Sequence, residues 1–376
     1  MESLFYISGI LCIYSYFLYP LILKMLPARK RSILSQGDYI PGLSLIITVH
    51  NEEARIKQKI INSLAADYPR EKLEIIVASD FSTDNTDSIV ESYKDLGVRL
   101  VRADEHKGKE YAQLCAIKQS RGDILVFSDV ATEIPAQALK ILASQFSSEA
   151  VGAVSSEDRF VSNDGKVVGE GAYVKYEMWL RTLESDRAGL VGLSGSFFAA
   201  RREVCQQWDI YSPSDFNTAL NCAKSGLIAI TCPEVVGIYK DVKDPGLEYS
   251  RKVRTVVRGI TAIARHTEVL NPFRMRLFAF QVWSHKIMRW AVPWFMLTFA
   301  LTTLFLYGHG VVYFLALLAQ IIFYGIALAG WISDSMRRYA IVRIVFFFVQ
   351  TNIALAQAAI SFIFGKRITV WTPSKR

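Results

Sequence analysis

The sequence predicts an α/β domain with a mainly parallel sheet, carried between membrane-spanning helices. Three observations support this. Short apolar runs alternate with segments of helical period between about residues 41 and 235. Uncharged stretches long enough to cross a bilayer lie near both ends. Basic residues gather beside those stretches.

The amino end comes first. Residues 3–23 hold no charged side chain, residues 290–333 hold none apart from His309, and residues 344–365 hold none. A bilayer core takes about 20 apolar residues per helix. The outer two stretches therefore fit one span each, and the middle one fits two with Gly308-His309-Gly310 as the turn. A chain that is 51% hydrophobic over 376 residues agrees with a mixed soluble and membrane protein. Residues 1–26 read as a retained anchor and not a signal peptide. Their apolar run is too long for an h-region, its start lacks a basic cluster, and no small-x-small cleavage site follows.

The net charge of +8 raises nucleic acid as a partner, but its placement argues against one. Lys24, Arg29, Lys30 and Arg31 follow the first span, and Arg337, Arg338 and Arg343 lie between later ones. This is the positive-inside pattern, which puts the middle of the chain in the cytoplasm of a multi-pass protein of the cell inner membrane. Four spans starting outside leave Lys366, Arg367, Lys375 and Arg376 on the outer face, against that pattern, so one apolar segment is expected to be re-entrant or interfacial. The five cysteines (12, 115, 205, 222 and 232) form no C-x-x-C and suit reduced thiols.

In the soluble middle, Leu43–Val49, 73–78, Val98–Arg102 and 124–128 read as strands, with helical segments near 53–66, 84–95 and 109–120 between them. In such sheets ligands sit at the carboxyl ends of the strands. After the first strand comes His50-Asn51-Glu52-Glu53, and after the second comes Ser79-Asp80, then Ser82-Thr83-Asp84-Asn85. After the third comes His106-Lys107-Gly108-Lys109, and after the fourth comes Asp129. Four strand ends thus deliver polar groups to one rim. A turn that holds a divalent cation against a diphosphate often offers Asp-x-Asp, but here the third position is Ala131. Magnesium commonly uses only one or two carboxylates beside phosphates and water, so Ala131 weakens such a site without abolishing it.

The order "VHNEE", "ASDFSTDNT", "HKGKEYAQLCAIKQSRGDILVFSD" resembles the membrane-bound family 2 glycosyltransferases of the cellulose, hyaluronan and poly-N-acetylglucosamine synthase-like group. The family's first motif commonly reads Tyr-Asn-Glu, so His50 stands where an aromatic is usual. Its second commonly reads Asp-Asp-Gly-Ser-x-Asp; Ser79 and Phe81 depart from it, while Asp80 and Asp84 match. The resemblance implies a Rossmann-like GT-A domain in the cytoplasm with transmembrane helices at both ends. The expected organisation is an anchor over 1–26, the GT-A domain over 40–246, amphipathic interfacial helices over 247–290, about three transmembrane helices over 291–365, and a tail over 366–376.

By the same resemblance His50, Asn51, Glu52, Asp80 and Lys109 bind the nucleotide-sugar, and Asp129 binds Mg²⁺ or Mn²⁺ bridging the diphosphate. The departing nucleoside diphosphate develops negative charge that a cation stabilises. Sugar transfer also needs a carboxylate to take the acceptor's proton. In the family this base begins a helix after a Gly-rich segment and a basic pair. "GLSGSFFAARREV" supplies that segment, so Asp215 is the expected base and Asp158, in "VSSEDRF" after a strand over 151–155, the reserve. Processive relatives carry Gln-x-x-Arg-Trp near residues 247–266. This chain lacks it, and Arg254 and Arg258, one helical turn apart, are expected to meet the diphosphate instead.

The implied activity moves a sugar, with inversion, from a UDP-sugar to a membrane-associated glycan or lipid-linked acceptor, in envelope or exopolysaccharide synthesis. Membrane lipid is a further partner, and homo-oligomers or polysaccharide-export proteins are others. Two alternatives stay open. One transfers sugar to polyprenyl phosphate itself, which needs no base. The other is a catalytically inactive scaffold subunit of a polysaccharide assembly, for which Ala131, Ser79 and the missing Trp motif speak.

Overall fold

The structure is a computed structural model that describes residues 1–29, 39–161, 172–240 and 245–368. Lys30, Arg31, Lys375 and Arg376, invoked above for topology, lie outside the described residues. The helices are α1 (Glu2–Met25), α2 (Ile56–Leu64), α3 (Thr86–Glu91), α4 (Lys109–Gln119), α5 (Ala138–Ser144), α6 (Ala172–Ser185), α7 (Ser214–Lys224), α8 (Pro245–Arg265), α9 (Pro272–Leu306), α10 (Val311–Ile332) and α11 (Ala340–Ile363). The strands are β1 (Leu43–Val49), β2 (Leu73–Ser79), β3 (Val98–Arg102), β4 (Ile124–Asp129), β5 (Val151–Val161), β6 (Phe197–Arg201) and β7 (Ile228–Lys240). The chain divides into two compact units. One comprises Met1–Met25, Asp244–Ile260 and Gln281–Arg367; the other comprises Leu26–Lys243, Thr261–Phe280 and Ile368–Arg376.

The second unit is built on a seven-stranded sheet in the order β3-β2-β1-β4-β6-β5-β7. β1 is buried along its whole length, and its side chains alternate between two cores. Leu45, Ile47 and Val49 join Ile56 and Ile60 of α2 and Leu139 and Leu142 of α5 on one face. Ile46 joins Ala112 and Ala116 of α4 and Ala219 of α7 on the other. Covering both faces requires near-continuous apolar strands, which is how β1 and β4 read.

The sheet is mainly parallel, as expected, with β5 also parallel to β7 and a single reversed strand, β6, that the alternation does not predict. β1 pairs in parallel with β2 and β4, and β2 with β3, but β6 runs antiparallel between β4 and β5. After α6 the chain re-enters beside the end of β4, where the Asp129 N–H donates to Ser196 O at 2.9 Å, and runs back along it. A strand that starts where its neighbour ends brings its leading Gly-rich segment to the ligand rim. Glu157 and Asp158 lie inside β5 and not after it, because that strand continues to Val161.

The first unit is helical. Among the described residues, four helices, α1, α9, α10 and α11, are long and apolar enough to cross a membrane. α10 starts after Gly310, as the Gly-His-Gly turn predicts. Close approach uses small residues: a Cβ on Gly330 of α10 meets the Phe346 Cβ of α11 at 2.9 Å. Polar side chains in these segments find partners across helices. Tyr14 Oη and Ser284 Oγ lie 2.8 Å apart, and Gln320 Nε2 donates to Thr303 Oγ1 at 2.7 Å.

Candidate active site

Asp129 closes β4, and its side chain is one-quarter exposed. Lys109, the first residue of α4, is buried and spans two elements. Its Nζ lies 2.5 Å from Asp129 Oδ1 and donates to Gly195 O at 2.8 Å. Gly195 in turn faces α7: a Cβ built on it stands 3.3 Å from Asp215 Oδ2. The ends of β4 and the starts of α4, β6 and α7 therefore meet at one place. Asp215 sits in the first turn of α7, where the helix dipole favours a negative charge, and among the described residues its carboxylate takes no hydrogen bond.

Asp158 is differently placed. Its Oδ1 accepts hydrogen bonds from Ser194 Oγ at 2.5 Å, Tyr239 Oη at 2.9 Å and Ser196 Oγ at 3.2 Å. An oxygen so occupied is a poor proton acceptor, and it ties β5 to β7 and the Gly-rich segment.

The residues expected to meet the nucleotide lie at the ends of β1 and β2. Asp80 is fully buried, with Oδ1 accepting from the Gly108 N–H at 3.0 Å and the Lys107 N–H at 3.2 Å. Gly108 holds φ 99°, a conformation that suits glycine and turns its N–H onto that carboxylate. His50 and His106 stack with ring centroids 4.2 Å apart. His50 Nδ1 lies 2.7 Å from Asp80 O, and His106 Nδ1 lies 2.9 Å from Asp80 Oδ2. Asn51, at φ 53°, accepts from the Thr83 N–H at 2.8 Å. Glu52 is buried and paired with Arg55 Nε at 2.6 Å and Nη2 at 2.5 Å, so its oxygens are engaged within the turn. Arg254 and Arg258 lie on α8 in the first unit, where Gly259 abuts Trp290.

Phe81 fills a backbone position of φ 55°, where the family motif has glycine. A bulky side chain there carries strain of the kind that collects at functional sites. Its ring lies under the Arg102 guanidinium, 4.6 Å from the centroid.

Two residues of this neighbourhood escape a reading by motif. Lys59 is buried below the Asp129 turn, donating to Ser128 Oγ at 2.7 Å and Thr132 O at 2.6 Å. Burial pushes its ammonium down to about 7, with Asp129 and then Glu133 opposing. The signal was available: Ile56, Lys59, Ile60 and Ser63 share the buried helix face, where a lysine needs a polar partner. His106 stands in the rim segment but is marked by no motif; only the fold brings it onto His50.

The donor set at Asp129 can be tested against a cation. Among the described residues, Asp129 Oδ2 carries no hydrogen bond, while Oδ1 is held by Lys109. One half-free carboxylate oxygen at a strand end fits Mg²⁺ or Mn²⁺, which fill their shells from phosphates and water.

Residues 44–208 match the family model "Glycosyl transferase family 2". A poly-β-1,6-N-acetyl-D-glucosamine synthase of Staphylococcus epidermidis is 25% identical over 189 residues, 48% of this chain and 45% of that protein. A probable glycosyltransferase of Sulfolobus acidocaldarius is 30% identical over 131 residues, 33% of this chain and 28% of that protein. The chain thus spans less than half the length of these curated relatives. The mannosyltransferase PcManGT of Pyrobaculum calidifontis, solved with GDP-Man and Mn²⁺, superposes over 97% of this chain and 99% of its own, with TM-score 0.74 and 23% identity. That likeness concerns the fold. The match to the family 2 glycosyltransferase model covers residues 44–208, and the fold over nearly the whole chain is the GT-A fold shared with PcManGT.

Proposed function

We propose that this chain is a metal-dependent, inverting glycosyltransferase, with a nucleoside-diphosphate sugar as donor and a membrane-associated glycan or lipid-linked sugar as acceptor. The observation that carries the reading is the run of contacts from Asp129 through Lys109 and Gly195 to Asp215. It puts the Asp129 carboxylate, the Lys109 ammonium and the Asp215 carboxylate near one another, which supports this reading. Asp215 accepts the proton of the acceptor hydroxyl as that oxygen bonds to the anomeric carbon and the bond to the diphosphate breaks. Such a positioned base contributes about 10²–10⁴-fold. Lys109 stabilises charge developing on the leaving diphosphate. A divalent cation held by Asp129 would share that task. His50, Asn51 and Asp80 form the nucleoside side of the site. A donor with uridine is the reading that the resemblance supports, with the domain facing the cytoplasm.

The test is calorimetric titration of UDP-, GDP- and dTDP-sugars into the purified protein, with and without Mn²⁺, beside Asp129→Ala, followed by turnover of Asp215→Asn. Metal-dependent binding lost in Asp129→Ala, with turnover lost in Asp215→Asn, supports the reading. Binding without turnover in the unaltered protein supports a scaffold. An Asp215→Asn variant that keeps its rate points to an acceptor already anionic, such as polyprenyl phosphate.

A further inference from the structure

We propose that His50, Asp80 and His106 form a transition-metal site separate from Asp129, suited to Zn²⁺ or a similar cation. One ligand atom from each of the three lies within 4.8 Å of the other two. Two imidazoles and a carboxylate are a set for zinc and its neighbours in the first row; magnesium prefers oxygen alone. Asp129 offers only oxygen, so the two places differ in the cation they select.

The surroundings resemble an outer shell already built. His50 Nδ1 lies 2.7 Å from the carbonyl of Asp80, the partner that fixes a ligating histidine's tautomer and leaves Nε2 for the metal. Asp80 Oδ1 is held by two backbone N–H groups, at 3.0 and 3.2 Å, which orient the carboxylate and leave Oδ2 as the coordinating atom. That oxygen is paired with His106, whose side chain is 37% exposed and open to solvent.

The geometry also says what must move. Tetrahedral zinc with bonds of about 2.0–2.1 Å sets its ligand atoms about 3.4 Å apart. The widest separation, within 4.8 Å, therefore closes by up to about 1.4 Å. Stacked rings point their lone pairs side by side, so one ring must turn to converge on a metal. His106 is the better placed to do so, because it lies at the surface and its contact with the Asp80 carbonyl, at 3.3 Å, is longer than the 2.7 Å contact that holds His50.

The experiment titrates Co²⁺, whose visible absorption reports its ligands, and then Zn²⁺ into full-length protein in detergent after treatment with chelator. The comparisons are His50→Gln, His106→Gln and Asp129→Ala, with circular dichroism to confirm folding. The expected result is one site that Asp129→Ala retains and either histidine variant weakens at least about 100-fold, since loss of an outer-shell partner alone costs about 10–100-fold. Cobalt binding unchanged in both folded histidine variants overturns the proposal, as does binding lost only in Asp129→Ala. A further arm rests on the proposed function, which gives Asp80 to the nucleoside: Zn²⁺ then weakens donor binding competitively. Metal bound with donor binding unchanged upholds the metal site and removes Asp80 from the nucleoside's contacts.

Discussion

Replacing Gly195 with alanine is the most direct test of the contact that joins donor and acceptor chemistry. The added Cβ stands 3.3 Å from Asp215 Oδ2 and 3.6 Å from Cγ, so the carboxylate must yield by a few tenths of an ångström. Lys109 holds the backbone carbonyl of Gly195, which the substitution leaves in place. Donor affinity should therefore be unchanged while the base shifts. A displacement of about 1 Å can cost about 10²-fold in rate, so a few tenths should cost about three- to tenfold in kcat. Asp215→Asn should cost about 10²–10⁴-fold. The assay is turnover at saturating donor and acceptor, with donor Kd measured separately. A Gly195→Ala protein with full kcat, beside an inactive Asp215→Asn, would refute the claim that this contact positions the base. Loss of donor binding in Gly195→Ala would refute the separation of the two roles.

Gly122→Ala should destabilise the protein by at least about 1–3 kcal/mol, read as a lower Tm, because its Cβ would lie 2.5 Å from the Ser44 backbone nitrogen in β1. Phe81→Gly should hold or raise Tm, since a left-handed backbone costs a non-glycine residue about 1–2 kcal/mol and the Arg102 contact it gives up is worth less. Lys59 has its ammonium pushed down to about 7 by burial, against about 10.4 unfolded, so the unfolded chain binds more protons between those values and stability rises with pH across that window. Lys59→Met should flatten that rise in a Tm-against-pH series; an unchanged slope would assign it to other groups.

What was legible followed from period and composition. β1 to β4 were read to within a residue because each is a short apolar run ended by polar rim residues, and the turn before α10 because glycines flank it. β6 escaped because "FFAAR" reads only as part of the Gly-rich segment and basic pair that precede Asp215. The meeting of Asp215 with Gly195 depends on that antiparallel strand, so spacing alone could not show it. Order along the chain selected Asp215 over Asp158, whose Oδ1 accepts three hydrogen bonds in the fold. The buried lysine and the histidine stack were beyond a motif because each is a pairing across elements, His50 after β1 with His106 after β3.

The single acid in the Asp129 turn acquires a different meaning once the two lysines are placed. Lys109 sits on Asp129 Oδ1 at 2.5 Å, and Lys59 lies beneath the turn on Ser128 and Thr132. Before the donor arrives, the carboxylate faces the Lys109 ammonium directly, with Lys59 adding its charge as pH falls below about 7, so a divalent cation there meets repulsion with only one acid to offset it. Breaking a buried ion pair by removing a partner costs about 3–5 kcal/mol, and a cation that displaced Lys109 would have to overcome a penalty of that kind. The diphosphate changes the sign of the balance by adding its own negative charges, which both lysine and cation can share. Mn²⁺ alone should then bind weakly, and Mn²⁺ with UDP or GDP should bind far more tightly, in a titration that varies each against the other. Lys109→Met should narrow the difference by strengthening Mn²⁺ alone while weakening the nucleotide. Equal Mn²⁺ affinity with and without nucleotide in the unaltered protein would mean that the lysines do not govern the site, and that Ala131 has to be judged as a simple loss of one ligand.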